Sequence, residues 1–96
     1  MNEINAIKNA VARYFSADAR VYLFGSRVDD EKKGGDIDLL VESALTGEKL
    51  QEARLNTMSR IQLALGDQKI DIVAMKSVKN PISLIQAEAV RTGRQL

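Results

Sequence analysis

Apolar residues recur along this chain with two different periods, one typical of helices and one typical of strands. Near the N-terminus, Ile4, Ile7, Val11 and Phe15 are spaced by three or four residues. This spacing places them on one face of a helix, so the pattern predicts an amphipathic helix over residues 3–17.

Three short segments are rich in β-branched and aromatic residues and predict strands. They are RVYLFG at Arg20–Gly25, DIDLLVE at residues 36–42, and KIDIVAM at Lys69–Met75. The segment between the first two is polar and contains Gly34 and Gly35. It is too short for a crossover helix, so a hairpin-like connection is expected there.

Two further helices are predicted in the second half of the chain. The longer one covers Thr46–Gly66, with an apolar stripe that includes Leu50, Ala53, Ile61 and Leu65. The last one begins at Pro81, continues through an apolar stripe of Ile82, Leu84, Ile85, Ala89 and Val90, and ends at Gly93. The tail RQL has the character of a short fourth strand.

This order, α-β-β-α-β-α, predicts a small α/β (α+β) domain over residues 1–96. Its mixed sheet is covered by helices mainly on one face, so the other face or the carboxyl edge of the sheet is available for a site. A chain of 96 residues supports one modest core.

Composition narrows the chemistry that this domain can perform. The chain has no Cys and no His, so thiol nucleophiles, Ser-His pairs and zinc fingers are excluded. Carboxylates remain, and they favour hard cations such as magnesium or manganese.

The net charge of +1 creates no basic field, so direct nucleic-acid binding is not expected. No apolar run reaches the length of a membrane span and no signal peptide is apparent, so the cytoplasm is the expected compartment.

Two aspartates interrupt the apolar pattern of the second predicted strand. Because side chains alternate between the two faces of a strand, Asp36 and Asp38 point the same way, with Cα atoms about 6.5–7 Å apart. Asp71 occupies a similar setting in the third strand, between Ile70 and Ile72. If the two strands pair, three carboxylates share one patch, and divalent cations would turn their mutual repulsion into attraction.

An Asp-x-Asp pair alone is common and usually belongs to a solvated strand edge. Here the aspartates stand among apolar residues, where an unpaired buried charge costs several kcal/mol. Lys69 is the only basic residue within these two strand segments. The combination therefore favours a cation site over a solvated edge.

The step Gly25-Ser26-Arg27 follows the first predicted strand. A glycine lets a ligand approach the backbone, and the amides of the following turn suit an anion. The Ser26 hydroxyl can donate to a phosphate oxygen, and the Arg27 guanidinium has a geometry suited to phosphate. Gly-Ser alone marks many ordinary turns, so its meaning depends on its spacing from the aspartates.

The segments GSRVDDEKKGGDIDLLV and KIDIVAM, taken together, resemble the nucleotidyltransferases of the DNA polymerase beta superfamily. The similarity is greatest to the minimal, single-domain members from bacteria and archaea. It rests on Gly25, Ser26, Asp36, Asp38 and Asp71. The C-terminal LIQAEAVRTGRQL also resembles the closing helix and last strand of that family.

The resemblance implies a mechanism. Asp36 and Asp38 would bind two Mg²⁺ ions, with Mn²⁺ as a substitute, and Asp71 would join one metal and help deprotonate the attacking hydroxyl. Gly25 and Ser26 would hold the triphosphate of a nucleotide, which the family suggests is ATP. The family often has a second basic residue two positions after Arg27, where this chain has Asp29, followed by Asp30 and Glu31. Lys32 and Lys33 come next and are candidates to replace that charge, but a solvated charged loop is the favoured interpretation of these two lysines.

The size of the domain leaves no room for a separate acceptor-binding lobe, so the acceptor is expected on a partner chain. Minimal nucleotidyltransferases resemble one half of two-gene modules whose other half is a small, all-helical HEPN-type toxin. By that resemblance the chain would be an antitoxin that transfers AMP to a tyrosine of the toxin. The alternative is a binding module with weak or no turnover that masks the toxin by contact. Homo-oligomerisation stays open.

Overall fold

The computed structural model describes residues 2–25, 36–66 and 69–96, apart from the side chains of Asn2 and Asp36. In chain order the elements are α1 (Asn2–Tyr14), β1 (Arg20–Phe24), β2 (Asp36–Glu42), α2 (Gly47–Leu65), β3 (Lys69–Met75), α3 (Leu84–Thr92) and β4 (Arg94–Gln95). The predicted α+β class with a small mixed sheet is confirmed. The short tail strand forms as β4.

The four strands lie in the order β3-β2-β1-β4. β1 is antiparallel to both β2 and β4, and β2 is parallel to β3. The chain connectivity explains this mixture. β1 and β2 are antiparallel neighbours, whereas β2 and β3 are joined through the 19-residue helix α2, a crossover connection that parallel strands require.

One face of the sheet carries the main core. Ile37, Leu39 and Val41 of β2 and Ile70 and Ile72 of β3 are buried on this face. They pack with residues that α1 and α2 contribute from their predicted apolar stripes, Ile7, Val11, Ala53 and Ile61 among them. Because strand side chains alternate, Asp38 and Leu40 of β2 and Asp71 and Val73 of β3 belong to the opposite face.

The bounds of α2 follow from its flanking residues. Thr46 is the N-cap, and Gly66 ends the helix with a positive φ of 93° while its N–H donates to the carbonyl of Gln62. Ala53, Thr57 and Ile61 are buried on one stripe of this helix, as the periodicity predicted. The helix therefore covers the sheet along its length and sets the parallel course of β3.

Thr57 offers a test of this core. Its side chain is fully buried, and its hydroxyl has no hydrogen-bond partner in the part of the chain that the structure describes. A buried hydroxyl without a partner costs free energy, so Thr57→Val is expected to raise the free energy of unfolding by about 1 kcal/mol. Urea denaturation measures this change.

Thr92→Val is the matched control, because the Thr92 hydroxyl donates to the Glu88 carbonyl at 2.9 Å. That substitution removes a hydrogen bond and should not stabilise the protein. If Thr57→Val lowered the midpoint of unfolding as well, the Thr57 hydroxyl would have to be satisfied in the folded protein.

The opposite face of the sheet is only partly covered. Phe24, Leu40 and Met75 form a smaller buried cluster there with Ala89 of α3. α3 begins at Leu84 rather than at the predicted Pro81, because Ser83 is its N-cap and accepts a hydrogen bond from the Gln86 N–H at 3.1 Å. No helix within the described ranges is both long enough and apolar enough to cross a membrane.

Candidate active site

The parallel pairing of β2 and β3 brings two of the predicted carboxylates to the same level of the sheet. Asp38 and Asp71 are direct register partners, and Asp36 is opposite Lys69. Neighbouring strands are about 4.8 Å apart, so the Asp38 and Asp71 backbones are separated by one strand spacing. The sequence predicted that the carboxylates share a patch if these two strands pair. In the structure β2 and β3 do pair.

Both aspartates belong to the face that α1 and α2 leave uncovered. Asp71 is exposed and Asp38 is half-buried, whereas their neighbours Ile70 and Ile72 are buried on the other face. Asp71 has no ion pair with any residue that the structure describes. The patch is thus open to a ligand at Asp71 and more enclosed at Asp38.

The third predicted carboxylate, Asp36, is the first residue of β2, and its side chain is not among the described ones. Without that side chain, no group of three metal-binding side chains is found in the described residues. The metal triad Asp36, Asp38 and Asp71 therefore stays a prediction. Its two described members, Asp38 and Asp71, are register partners on adjacent strands.

Gly25 follows β1 directly and lies against the Asp38 carboxylate. The register partner of Asp38 on β1 is Phe24, so Gly25 is at the same end of the sheet. A Cβ at position 25 would overlap Oδ2 of Asp38 and lie 3.3 Å from its Cγ, and φ is 78°. Glycine is thus required here both by the backbone conformation and by the space that the carboxylate occupies.

The remaining predicted ligands lie outside the described residues. Ser26 and Arg27 directly follow Gly25, and the acidic and basic residues from Asp29 to Lys33 belong to the same segment. The predicted phosphate contacts of Ser26 and Arg27 stay predictions.

Lys69 shares the carboxylate face and was not assigned a role from the sequence. It is exposed, lies two residues before Asp71 on the same strand, and is the register partner of Asp36. The alternation Lys69-Ile70-Asp71 was the signal that could have identified it, because residues two apart on a strand share a face. It adds a positive charge at the edge of the carboxylate patch.

This donor set fits a hard divalent cation. Carboxylate oxygens are the ligands that Mg²⁺ prefers, and two aspartates at one level of adjacent strands can converge on a common ion. The absence of a side chain at Gly25 leaves space for the carboxylate of Asp38.

Comparisons with known proteins agree with this geometry. Residues 4–92 match the family model described as the nucleotidyltransferase domain. Among solved structures, a crystal structure described as a toxin–antitoxin with AMP-PNP shares 26% identity, with a TM-score of 0.72 over 99% of this chain and 72% of that chain. A mutant of the toxin–antitoxin MntA–HpeT with two Asp-to-Glu substitutions shares 24% identity, with a TM-score of 0.71 over 99% and 71% of the two chains. No curated protein sequence matches significantly.

The family match spans all the described site residues, and the two solved structures share the fold along almost the entire chain. The resemblance that Gly25, Ser26 and the three aspartates suggested is confirmed at the level of the family. The chain belongs to the nucleotidyltransferase domain family.

Proposed function

We propose that this chain is a magnesium-dependent protein adenylyltransferase, which transfers AMP from ATP to a hydroxyl group of a partner protein. The observation that carries the proposal is the β2–β3 register, which pairs Asp38 with Asp71 on an open face beside Gly25. The similar structure that contains AMP-PNP supports a nucleoside triphosphate as the substrate class.

In the proposed reaction the acceptor hydroxyl oxygen forms a bond to the α-phosphorus of ATP. The bond between the α-phosphorus and the oxygen that bridges to the β-phosphate breaks, and pyrophosphate leaves. The Asp71 carboxylate takes the hydroxyl proton. Asp71 suits this role because it is exposed on the edge strand β3, where an acceptor can reach it.

Mg²⁺ held by Asp36, Asp38 and Asp71 would supply positive charge to the phosphate oxygens and to the attacking oxygen. The more enclosed Asp38, next to Gly25, is suited to the nucleotide side of the site, since Gly25 allows the phosphates to approach the backbone. Asp71 is on the acceptor side, one strand farther from Gly25. In this arrangement ATP binds on the Gly25 side of β2, and the acceptor binds on the Asp71 side.

We further propose that the acceptor is a tyrosine of a small helical HEPN-type toxin, which would make this chain its antitoxin. Support comes from the two similar structures, both of which are described as toxin–antitoxin proteins. The contact-only alternative, a module that masks the toxin without turnover, is less well supported. A carboxylate pair on an open face has no use in masking by contact alone.

The test is a transfer assay with the purified chain and a purified small helical HEPN-type protein as the candidate acceptor. ATP labelled at the α-phosphate should label that protein when Mg²⁺ is present, and ATP labelled at the γ-phosphate should not. EDTA should abolish the labelling, because the carboxylate patch then lacks its cation.

Each other outcome of this assay identifies a different activity. Label transferred from the γ-phosphate would make the chain a kinase. Labelling with α-labelled GTP but not with α-labelled ATP would overturn the choice of nucleotide. If neither nucleotide labelled the partner while the two proteins still formed a complex, the contact-only function would replace the proposed one.

A further inference from the structure

Three large apolar side chains near the start of α3 are exposed to solvent. Ile82, Leu84 and Ile85 retain 86%, 91% and 53% of their accessible surface. All three belong to the apolar stripe of the predicted last helix, and Ala89 is the buried residue of α3. Large apolar side chains grouped on a surface are typical of an interaction site.

A groove continues this apolar surface. It lies beyond the end of β3, between the first turns of α2 and α3, and has a volume of about 470 Å³. Leu45, Leu50, Met75 and Ile82 line it. The groove is at the opposite end of β3 from Asp71, so it is separate from the carboxylate patch. We call Ile82, Leu84, Ile85 and this groove the α3 docking surface.

The groove of the α3 docking surface is flanked by positive charge, and Glu88, the acidic residue of α3, is paired with Arg91. Lys76 lines the groove, Lys79 is exposed beside it, and no acidic side chain of the described residues lines it. Thr46, the N-cap of α2, also lines the groove, but Glu48 in the first turn offsets the positive end of that helix, so the two lysines supply the positive charge. A complementary ligand has apolar side chains flanked by carboxylates.

We propose that the α3 docking surface binds an amphipathic helix of the partner protein that carries the acceptor hydroxyl. The apolar face of that helix would pack on Ile82, Leu84 and Ile85, and its flanking Asp or Glu side chains would face Lys76 and Lys79. This inference rests on the proposed function, which requires a protein acceptor but does not say where it binds.

The geometry of β3 connects the docking surface to the site of reaction. Met75 lies at the groove and Asp71 four residues earlier, a separation of about 13 Å along the strand. That is the length of about nine residues of a helix. β3 is an edge strand in the described sheet, and Asp71 is exposed. A helical partner seated on the docking surface can therefore present a hydroxyl at Asp71.

The test uses the full chain and the same purified HEPN-type protein. The double variant Ile82→Ser, Leu84→Ser should weaken the complex at least about tenfold by calorimetry, because it removes the exposed apolar anchors. AMP transfer at low partner concentration should fall in proportion. The Kd for Mg²⁺ and AMP-PNP should stay the same, because the carboxylate patch is untouched.

Leu63→Ser is the matched control, since Leu63 is 81% exposed on α2 but does not line this groove. It should leave the affinity for the partner unchanged. A second variant pair, Lys76→Glu and Lys79→Glu, should weaken the complex and reduce its dependence on salt, as expected when favourable charge pairs are lost.

Three outcomes would overturn the proposal. The double variant could bind the partner as tightly as the wild type, or Leu63→Ser could weaken binding equally. The isolated chain could also form a dimer that the double variant abolishes, which would make the surface a contact between two copies. If the wild type bound the partner through this surface but transferred no AMP, the docking inference would hold and the proposed transfer would fail.

Discussion

Asp38→Asn should reduce AMP transfer by at least about 10²–10³-fold, the range found when one key electrostatic group is removed from an active site. Asp38 is the register partner of Asp71 and lies against Gly25, so its carboxylate is central to the proposed cation site. An amide has nearly the same shape but no charge, and it binds Mg²⁺ poorly. Transfer of α-labelled AMP and release of pyrophosphate measure the effect.

The fold should survive this substitution. Asparagine keeps the shape of the aspartate side chain, so the variant should keep the far-UV circular dichroism spectrum and the cooperative unfolding of the wild type. Mg²⁺ should raise the melting temperature of the wild type, since a ligand that binds only the folded state stabilises it, and should raise that of the variant less. Asp18→Asn is the matched control, because Asp18 is exposed on the turn between α1 and β1, away from the patch.

Transfer at the wild-type rate by Asp38→Asn would exclude the proposed role of the carboxylate patch. The variant also separates the two candidate functions in cells. If it neutralised the toxin as well as the wild type, contact would be sufficient for the antitoxin effect. Loss of neutralisation with an intact complex would show that catalysis is required.

The two central strands were the most predictable part of the fold. Their observed bounds, Asp36–Glu42 and Lys69–Met75, coincide with the predicted segments. Both segments bury apolar residues at alternate positions, so the period of two and the placement of the aspartates follow from the same pattern. The two-residue alternation is a local property, which is why a sequence displays it clearly.

The register between these strands could not be predicted in the same way. Nothing in the segments themselves sets Asp71 opposite Asp38 rather than opposite Asp36. The level of β3 depends on how the 19 residues of α2 pack across the sheet, with Ile61 and Ala53 buried beneath it. Register is thus a consequence of tertiary packing, although the aspartates that it pairs were identified from the sequence.

The start of α3 shows a second feature that sequence periodicity could not predict. An apolar stripe is typical of a helix face that packs on a core, but Ile82 and Leu84 are exposed. α3 meets the sheet through Ala89, which is buried with Phe24, Leu40 and Met75, and a Cβ at Gly93 would lie 3.3 Å from the Tyr22 Cβ of β1. Periodicity shows that a helix has an apolar face, but it does not distinguish a face for its own sheet from a face for a partner.

Gly25→Ala is expected to affect both stability and activity. The left-handed φ of 78° costs an alanine about 1–2 kcal/mol, which should appear as a lower free energy of unfolding in urea. The added Cβ would also overlap Oδ2 of Asp38, so the carboxylate must move. A displacement of about 1 Å at a reacting centre can cost up to 10²-fold in rate, and a loss of AMP transfer of at least about tenfold is expected.

Gly66→Ala separates the two effects of the Gly25 substitution. Gly66 also has a positive φ, 93°, but a Cβ there would meet no atom within 4 Å. This control should therefore lose stability through its backbone conformation and keep its affinity for Mg²⁺ and AMP-PNP. Gly25→Ala should lose stability and weaken that affinity as well. If the two variants lost stability but bound the nucleotide equally well, Gly25 would serve only the turn after β1, and the carboxylate of Asp38 would tolerate displacement.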